Sequence, residues 1–313
     1  MNYRQIIGEA WRFTQENKKL IVWYAFMPSV LVTIVGVFYF IYQFYAFKSS
    51  PLFENWSQSF TFLALRAVYD IAREHANNLP AILIILGILA LFYFFLPPIT
   101  EGAIIQLIAR KKNKQEVRIK DGLRYGFLSF LPLFNYSWIA RTFNFFVILG
   151  EISLVVRSPY LGASALQVLW PVFILFIIAS VVFTLLFVFT EYYIVIDDCH
   201  IKESMAKSAV MVVKHWDAAI VVSILMLIIA ARIILQIVFV LLVPVGILML
   251  IYFLASSTIP FFGFIIGIVM TMVALLFASY LGAIVHIFTS TVWVFTFLEL
   301  TNKPEISARE TAL

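Results

Sequence analysis

The sequence predicts an all-α polytopic membrane protein with six transmembrane helices, eight being the alternative. These are arranged as three repeats of a cytoplasmic interfacial helix followed by a transmembrane hairpin. Three observations carry this reading. The 313 residues are 63% hydrophobic and only 12% charged, where a soluble domain carries about 25% charge. Too little polar surface exists to cover a water-soluble globule, and the mean hydropathy of +0.99 agrees. An ordinary soluble enzyme and a disordered chain are both excluded. Second, the apolar residues gather in blocks long enough to cross about 30 Å of hydrocarbon. Third, a short helical pattern recurs before the hairpins.

The first residues, MNYRQIIGEAWRFTQENKKL, are polar with helical spacing. The apolar stretch behind them is too long for a signal-peptide core and shows no small-residue cleavage site, so it reads as a retained anchor. Blocks at 20–46, 80–109, 133–156 and 167–196 provide one span each. The block at 218–298 holds one formal charge, Arg232. Two long helices near 217–243 and 260–300, joined through Pro244, Gly246 and Pro260, give six spans, and splitting each half gives eight. Both counts are even, so both place the termini on one side. Outside, 47–57 is loop-like. The stretch 58–77 puts Phe60, Leu63, Ala67, Val68, Ile71 and Ala72 on one helical face, with Arg66 and Asp70 opposite. The chain is then a single membrane domain over 1–313, with repeats at about 1–110, 111–198 and 199–300 and a cytoplasmic tail at 301–313.

Charge placement orients the chain. The net charge is +5, and the basic residues concentrate in alternate connections. Arg4, Arg12, Lys18 and Lys19 precede the first span. Arg110, Lys111, Lys112, Lys114, Arg118, Lys120 and Arg124 fall in the second connection; Lys202, Lys207 and Lys214 in the fourth; Lys303 and Arg309 in the tail. The intervening connections hold only Lys48, Arg66, Arg73 and Arg157. By the positive-inside rule both termini are cytoplasmic. This distribution serves orientation in a bilayer, and no nucleic-acid partner is expected.

Three cytoplasmic octets align without gaps: IGEAWRFT (7–14), IKDGLRYG (119–126) and IKESMAKS (201–208). Each has Ile, an acidic residue at its third position, small residues at its fourth and eighth, and a large apolar residue at its fifth. An apolar stripe with charges opposite belongs in the interface plane of a membrane. Thr100-Glu101 and Thr190-Glu191 also recur late in the second helix of their units, whereas the third unit has Glu299 nearer its end.

Ionisable groups inside a bilayer are costly and usually turn inward to partners. From the helical rise of about 1.5 Å per residue, Glu101, Glu191 and Arg141 lie at about 9–13 Å from the inner surface, and Arg232 and Glu151 at about 22–27 Å. The expectation is an inner polar cluster of Glu101, Arg141 and Glu191 and an outer pair of Glu151 and Arg232. These charges either line a polar path or fix helix register. Gly263, Gly267, Ala278 and Gly282, with Ala274, form a small-residue stripe for close helix packing. His286 continues that stripe and reads as a packing histidine. Trp11, Trp23, Trp138, Trp170 and Trp216 fall near span ends, where interfacial anchors belong.

No catalytic residue, metal site or cofactor is expected. Ser/His/Asp, HExxH, P-loop and GxGxxG arrangements are all missing. Asp197, Asp198, Cys199, His200 and Glu203 crowd one loop but lack paired zinc-ligand spacing and read as a solvated helix start. Cys199 is the single cysteine, so no intramolecular disulfide can form.

The stretch EYYIVIDDCHIKESMAKSAVMVVKHWDAAIVVSILMLI (191–228) combines an apolar helix, an acidic turn, an amphipathic "IxESxxxS" helix, a tryptophan and another span. It resembles a theme of uncharacterised bacterial multi-pass families, including the membrane domain attached to some glycerophosphodiester phosphodiesterases. The start, IIGEAWRFTQENKKLIVWY, is similar to how such chains begin. The resemblance covers about a fifth of the chain. It implies a six-helix domain in the bacterial cytoplasmic (inner) membrane and supplies no catalytic residue, since the phosphodiesterase domain is absent. The leading expectation is a non-catalytic membrane module docking membrane lipids or a cytoplasmic or membrane protein partner through its amphipathic helices. The alternative is a transporter or permease-like subunit using the intramembrane charges.

Overall fold

The computed structural model describes residues 2–48, 66, 69–70, 73–74, 78–156, 162–254 and 260–301, and among them no strand occurs. Helix α1 (Tyr3–Glu16) starts at Asn2, whose side chain accepts the Gln5 N–H at 3.3 Å. It stops at Asn17, whose Nδ2 donates to the Phe13 carbonyl at 2.8 Å. These caps satisfy backbone groups that every helix end leaves unpaired. Helix α2 begins as Lys18–Leu20, passes through a π-helical turn at Ile21–Ala25, and continues as Phe26–Lys48. Then follow α3 (Leu79–Lys112), α4 (Asp121–Leu128), α5 (Phe130–Thr142), α6 (Phe145–Val156), α7 (Gly162–Leu186), α8 (Thr190–Ile196), α9 (Ile201–Lys214), α10 (Trp216–Leu254) and α11 (Pro260–Leu300).

Five segments of the described chain are long and apolar enough to cross a membrane: Lys18–Gln43, Leu79–Lys112, Val168–Ile196, Trp216–Val238 and Gly267–Leu300. Six had been expected, and the difference lies at 133–156. That block is two short helices, α5 and α6, parted at Phe143 and Asn144. The break leaves carbonyls without helical partners, and in an apolar medium each must be satisfied. Ser180 of α7 donates its hydroxyl to the Phe143 carbonyl at 2.6 Å, and the Phe143 and Phe183 rings stack at 4.4 Å. Neighbouring side chains thus stabilise a kink that hydropathy alone does not reveal.

The last block differs in the other direction. α10 runs as one helix through Pro244 and Gly246 to Leu254, and α11 is also continuous, so neither half divides again. Pro and Gly interrupt helices less where no water competes for the backbone. Most of the expected connection at 244–260 is thus helical, and 255–259 lie outside the described residues.

The packed core occupies one end of the bundle. Ile104, Ile105, Leu107 and Ile108 of α3, Phe189 before α8, and Ile287, Val292, Val294 and Phe297 of α11 are all buried. α11 is the centre, packing against α1, α2, α3 and α10. Trp11 of α1 meets Phe288 edge-on at 5.7 Å, and Phe13 meets Phe295 at 5.9 Å. Toward the opposite end, Ile82 to Phe92 of α3, much of Val172 to Val182 of α7 and much of Ile268 to Phe277 of α11 are exposed apolar surface. Surface of this kind and extent requires a cover other than water. Trp11, Trp23, Trp138, Trp170 and Trp216 are all exposed as well.

The three octets fall on α1, on the turn into α4, and on α9. In each, the fourth and eighth residues are buried: Ala10 and Thr14, Gly122 and Gly126, Ser204 and Ser208. A Cβ on Gly126 would overlap the Ile99 carbonyl oxygen, and one on Gly122 would meet the Tyr24 hydroxyl at 2.7 Å. Small residues here let α4 lie directly on α3.

Of the outer stretch 58–77, residues 66, 69–70 and 73–74 are helical and exposed. The apolar face predicted there, from Phe60 to Ala72, lies outside the described residues, as does the tail beyond Thr301. Gly263 sits within α11, Gly267 and Ala278 are buried, and Gly282 approaches Ser29 of α2, where an added Cβ would come 2.7 Å from Ser29 Oγ. Ser29 donates to the Ser279 carbonyl at 2.7 Å, so this part of the small-residue stripe packs within the chain.

Candidate functional site: a charged cavity in the helix bundle

A partly open cavity of about 670 Å³ lies where α2, α3, α5, α8, α10 and α11 converge, and Glu101, Arg141, Glu191 and His286 all line it. Each reaches it for a local reason. Glu101 follows Pro97-Pro98, a pair that removes two backbone donors from α3. Thr100 donates its hydroxyl back to the Leu96 and Pro97 carbonyls, both at 3.0 Å. The helix continues, with Glu101 directed toward α11. His286 Nε2 stands 2.8 Å from Glu101 Oε2. One turn further along α11, the Ser290 hydroxyl donates to Glu101 Oε1 at 3.4 Å.

Glu191 sits in the first turn of α8, just after the break at 187–189 that separates α8 from α7. That break is held by neighbours. Ser208 of α9 donates to the Leu186 carbonyl at 2.8 Å and accepts the Phe189 N–H at 3.1 Å. Tyr136 of α5 donates to the Phe187 carbonyl at 3.0 Å. A carboxylate in the first turn also faces the positive end of its helix.

Arg141 ends α5 with its guanidinium 5.8 Å from the Tyr93 ring and 5.7 Å from the Phe94 ring. These aromatic faces hold the cation in position. Among the described residues it forms no ion pair. The inner residues expected to cluster therefore share one cavity, but the direct partner of Glu101 is His286, and Arg141 rests on aromatic faces instead.

His286 is where sequence reasoning missed a residue. Its spacing from Ala278 and Gly282 made it a packing residue, and the structure replaces that reading with a carboxylate-paired group on the cavity wall. A signal was available: histidine within an apolar span belongs to the same costly class as the acids and arginines. Thr289 and Ser290 beside it reinforce the polarity.

The expected outer pair stays apart. Glu151 on α6 and Arg232 on α10 are both exposed, and no ion pair joins them among the described residues. Depth along the bilayer put them in one layer, but depth carries no information on the direction around each helix. On α9, Lys207 Nζ lies 2.7 Å from Glu203 and 3.2 Å from Sγ of Cys199 in the loop before it. Among the described residues, no group of three or more His, Cys, Asp or Glu side chains is placed to hold a metal ion.

The fold and the cavity together define an all-helical protein, compatible with integral membrane placement, with an ionisable site inside its bundle. No family description, curated protein or solved structure matches the chain.

Proposed function

We propose that the chain is a multi-pass membrane protein that moves a small polar solute together with protons through the cavity at Glu101 and His286. The observation that carries this is the Glu101–His286 pair at 2.8 Å on the wall of a cavity that also exposes Glu191 and Arg141. A carboxylate sharing a proton with an imidazole is a relay element. A second carboxylate beside it offers the proton a further site, and the guanidinium offers a solute a fixed cation. Ionisable residues inside a membrane that line a cavity mark such paths. In this reading α5 and α6 cross together as a broken sixth span, both termini are cytoplasmic, and the octets mark three copies of one helix-plus-hairpin unit. The matched burial of their fourth and eighth residues supports the repeat. The resemblance to bacterial phosphodiesterase-linked membrane domains agrees with an inner-membrane location and adds no chemistry.

Purified protein in liposomes loaded with a pH-sensitive dye provides the test. Wild type should dissipate an imposed pH gradient when a transported solute is added, across a panel of small charged solutes. Glu101→Gln and His286→Gln should each slow this at least about tenfold while remaining monodisperse. Unchanged flux in both variants overturns the proposal.

A second reading, a docking module for a membrane or protein partner, is favoured by the exposed Val210, Val213 and Trp216 at the end of α9 and the start of α10. It requires partner or vesicle binding that survives Glu101→Gln and is lost on Lys207→Glu.

A further inference from the structure

At the end of the bundle opposite the exposed apolar helices, a second cavity of about 960 Å³ lies between the start of α2, the end of α3 and the turn before α4. Lys18, Lys19, Lys111, Arg118 and Lys120 line it, against one carboxylate, Glu16. Two other cations on this surface are matched, Lys112 with Glu9 at 2.5 Å and Lys207 with Glu203 at 2.7 Å. Among the described residues, the side chains of Lys18, Lys19, Arg118 and Lys120 pair with no carboxylate. All four are exposed. Like charges brought together repel, and such an arrangement is relieved by an anion.

The cavity is built rather than accidental. Tyr24 donates its hydroxyl to the Ile119 carbonyl at 2.5 Å, tying the turn before α4 to α2. Lys111 Nζ donates to Asn17 Oδ1 at 2.5 Å, tying the end of α3 to the junction of α1 and α2. A π-helical turn at Ile21–Ala25 lies directly under it, and single π-turns of this kind recur at functional sites. Two of the membrane-length segments end here, Lys18–Gln43 at its first residue and Leu79–Lys112 at its last. The cations therefore stand at the level of lipid headgroups. Trp23 and Leu123, both lining the cavity, are 67% and 48% exposed and offer apolar surface for acyl chains beside the charges.

We infer that this cavity binds the headgroup of an anionic phospholipid of the cytoplasmic leaflet, one carrying two phosphates. Four unmatched cations against one carboxylate suit two phosphates better than one, and basic pockets between helices on the cytoplasmic side recognise such headgroups. The inference rests on membrane placement and is independent of the solute path proposed above.

Full-length protein in a neutral detergent, titrated with diphosphatidylglycerol, phosphatidylcholine and inorganic pyrophosphate, decides it by native mass spectrometry and thermal shift. Diphosphatidylglycerol should stay bound and raise the melting temperature; phosphatidylcholine should do neither. The triple variant Lys19→Gln/Arg118→Gln/Lys120→Gln should bind about 100-fold more weakly. Lys19→Arg/Lys120→Arg should bind as wild type, which separates loss of charge from loss of fold. An equal removal of charge on α9, Lys202→Gln/Lys207→Gln/Lys214→Gln, should leave binding within about threefold. Equal losses in both triple variants, or pyrophosphate bound in preference to the lipid, overturn the inference. Glu101→Gln should retain lipid, so failure of the solute path leaves this result readable.

Discussion

His286 Nε2 lies 2.8 Å from Glu101 Oε2, joining the central helix α11 to α3 across the wall of the bundle cavity. Removing either partner leaves the other without this contact on the cavity wall, at a cost of about 1–3 kcal/mol. A double-mutant cycle of Glu101→Gln and His286→Gln, read by thermal unfolding in detergent, should show a coupling of about 0.5–3 kcal/mol. Additive effects would mean that the two side chains do not act as a pair.

Gly126 and Gly8 should respond oppositely to alanine. At Gly126 the new methyl overlaps the Ile99 carbonyl oxygen, so α4 must lift from α3. The expected loss is about 2 kcal/mol or more. At Gly8 a Cβ meets nothing within 4 Å, and within helix α1 the substitution should stabilise by up to about 1 kcal/mol. Melting temperatures of the two variants, measured side by side, check both signs.

Ser208→Ala removes a side chain that holds both sides of the α7–α8 break, stranding the Leu186 carbonyl and the Phe189 N–H. The expected cost is about 1–3 kcal/mol for each buried group left unpaired. Because Glu191 stands just after that break, flux through the proposed proton path should fall more than stability. Equal flux in wild type and Ser208→Ala would disconnect the break from the site.

The Glu9–Lys112 ion pair gives α1 a pH-dependent attachment. Lys112, donating to the Glu9 carboxylate, and then Gln5 hold the Glu9 carboxyl below its usual range. A carboxyl lowered on folding adds stability above its unfolded pKa, and that stability disappears as pH falls through the folded pKa. Wild type should therefore lose stability relative to Glu9→Gln as pH drops below about 4. The side chains are 30% and 39% exposed, so the difference should stay within about 1 kcal/mol and shrink in high salt. Melting curves of both proteins at several pH values provide the check.

Cys199 makes the topology directly measurable, because it is the single cysteine of the chain. Its half-buried thiol lies in the loop between α8 and α9, which the proposed topology puts in the cytoplasm. A membrane-impermeant maleimide should label it in permeabilised cells and leave it unlabelled in intact ones. Labelling in intact cells would invert the orientation.

Most of the apolar blocks and the helical class were legible in the sequence because each is local: hydropathy and periodicity need only a few turns of chain. The residues Glu101, Arg141 and Glu191 were also legible as a set, since charge in an apolar span is conspicuous wherever it points. Partners were not legible. Whether Glu101 meets Arg141 or His286 depends on the rotation of α3, α5 and α11 about their axes; close approaches of Gly282 to Ser29 and of Gly126 to Ile99 constrain α11 and α3. The kink at Phe143 is likewise tertiary, because the hydroxyl that stabilises it comes from Ser180 on another helix. The sequence by itself thus determined that the chain is built of long apolar helices and which acidic and basic residues fall within them. Only the tertiary structure decided which of those residues face one another, because burial of small side chains fixes helix rotation and a one-dimensional pattern does not contain it.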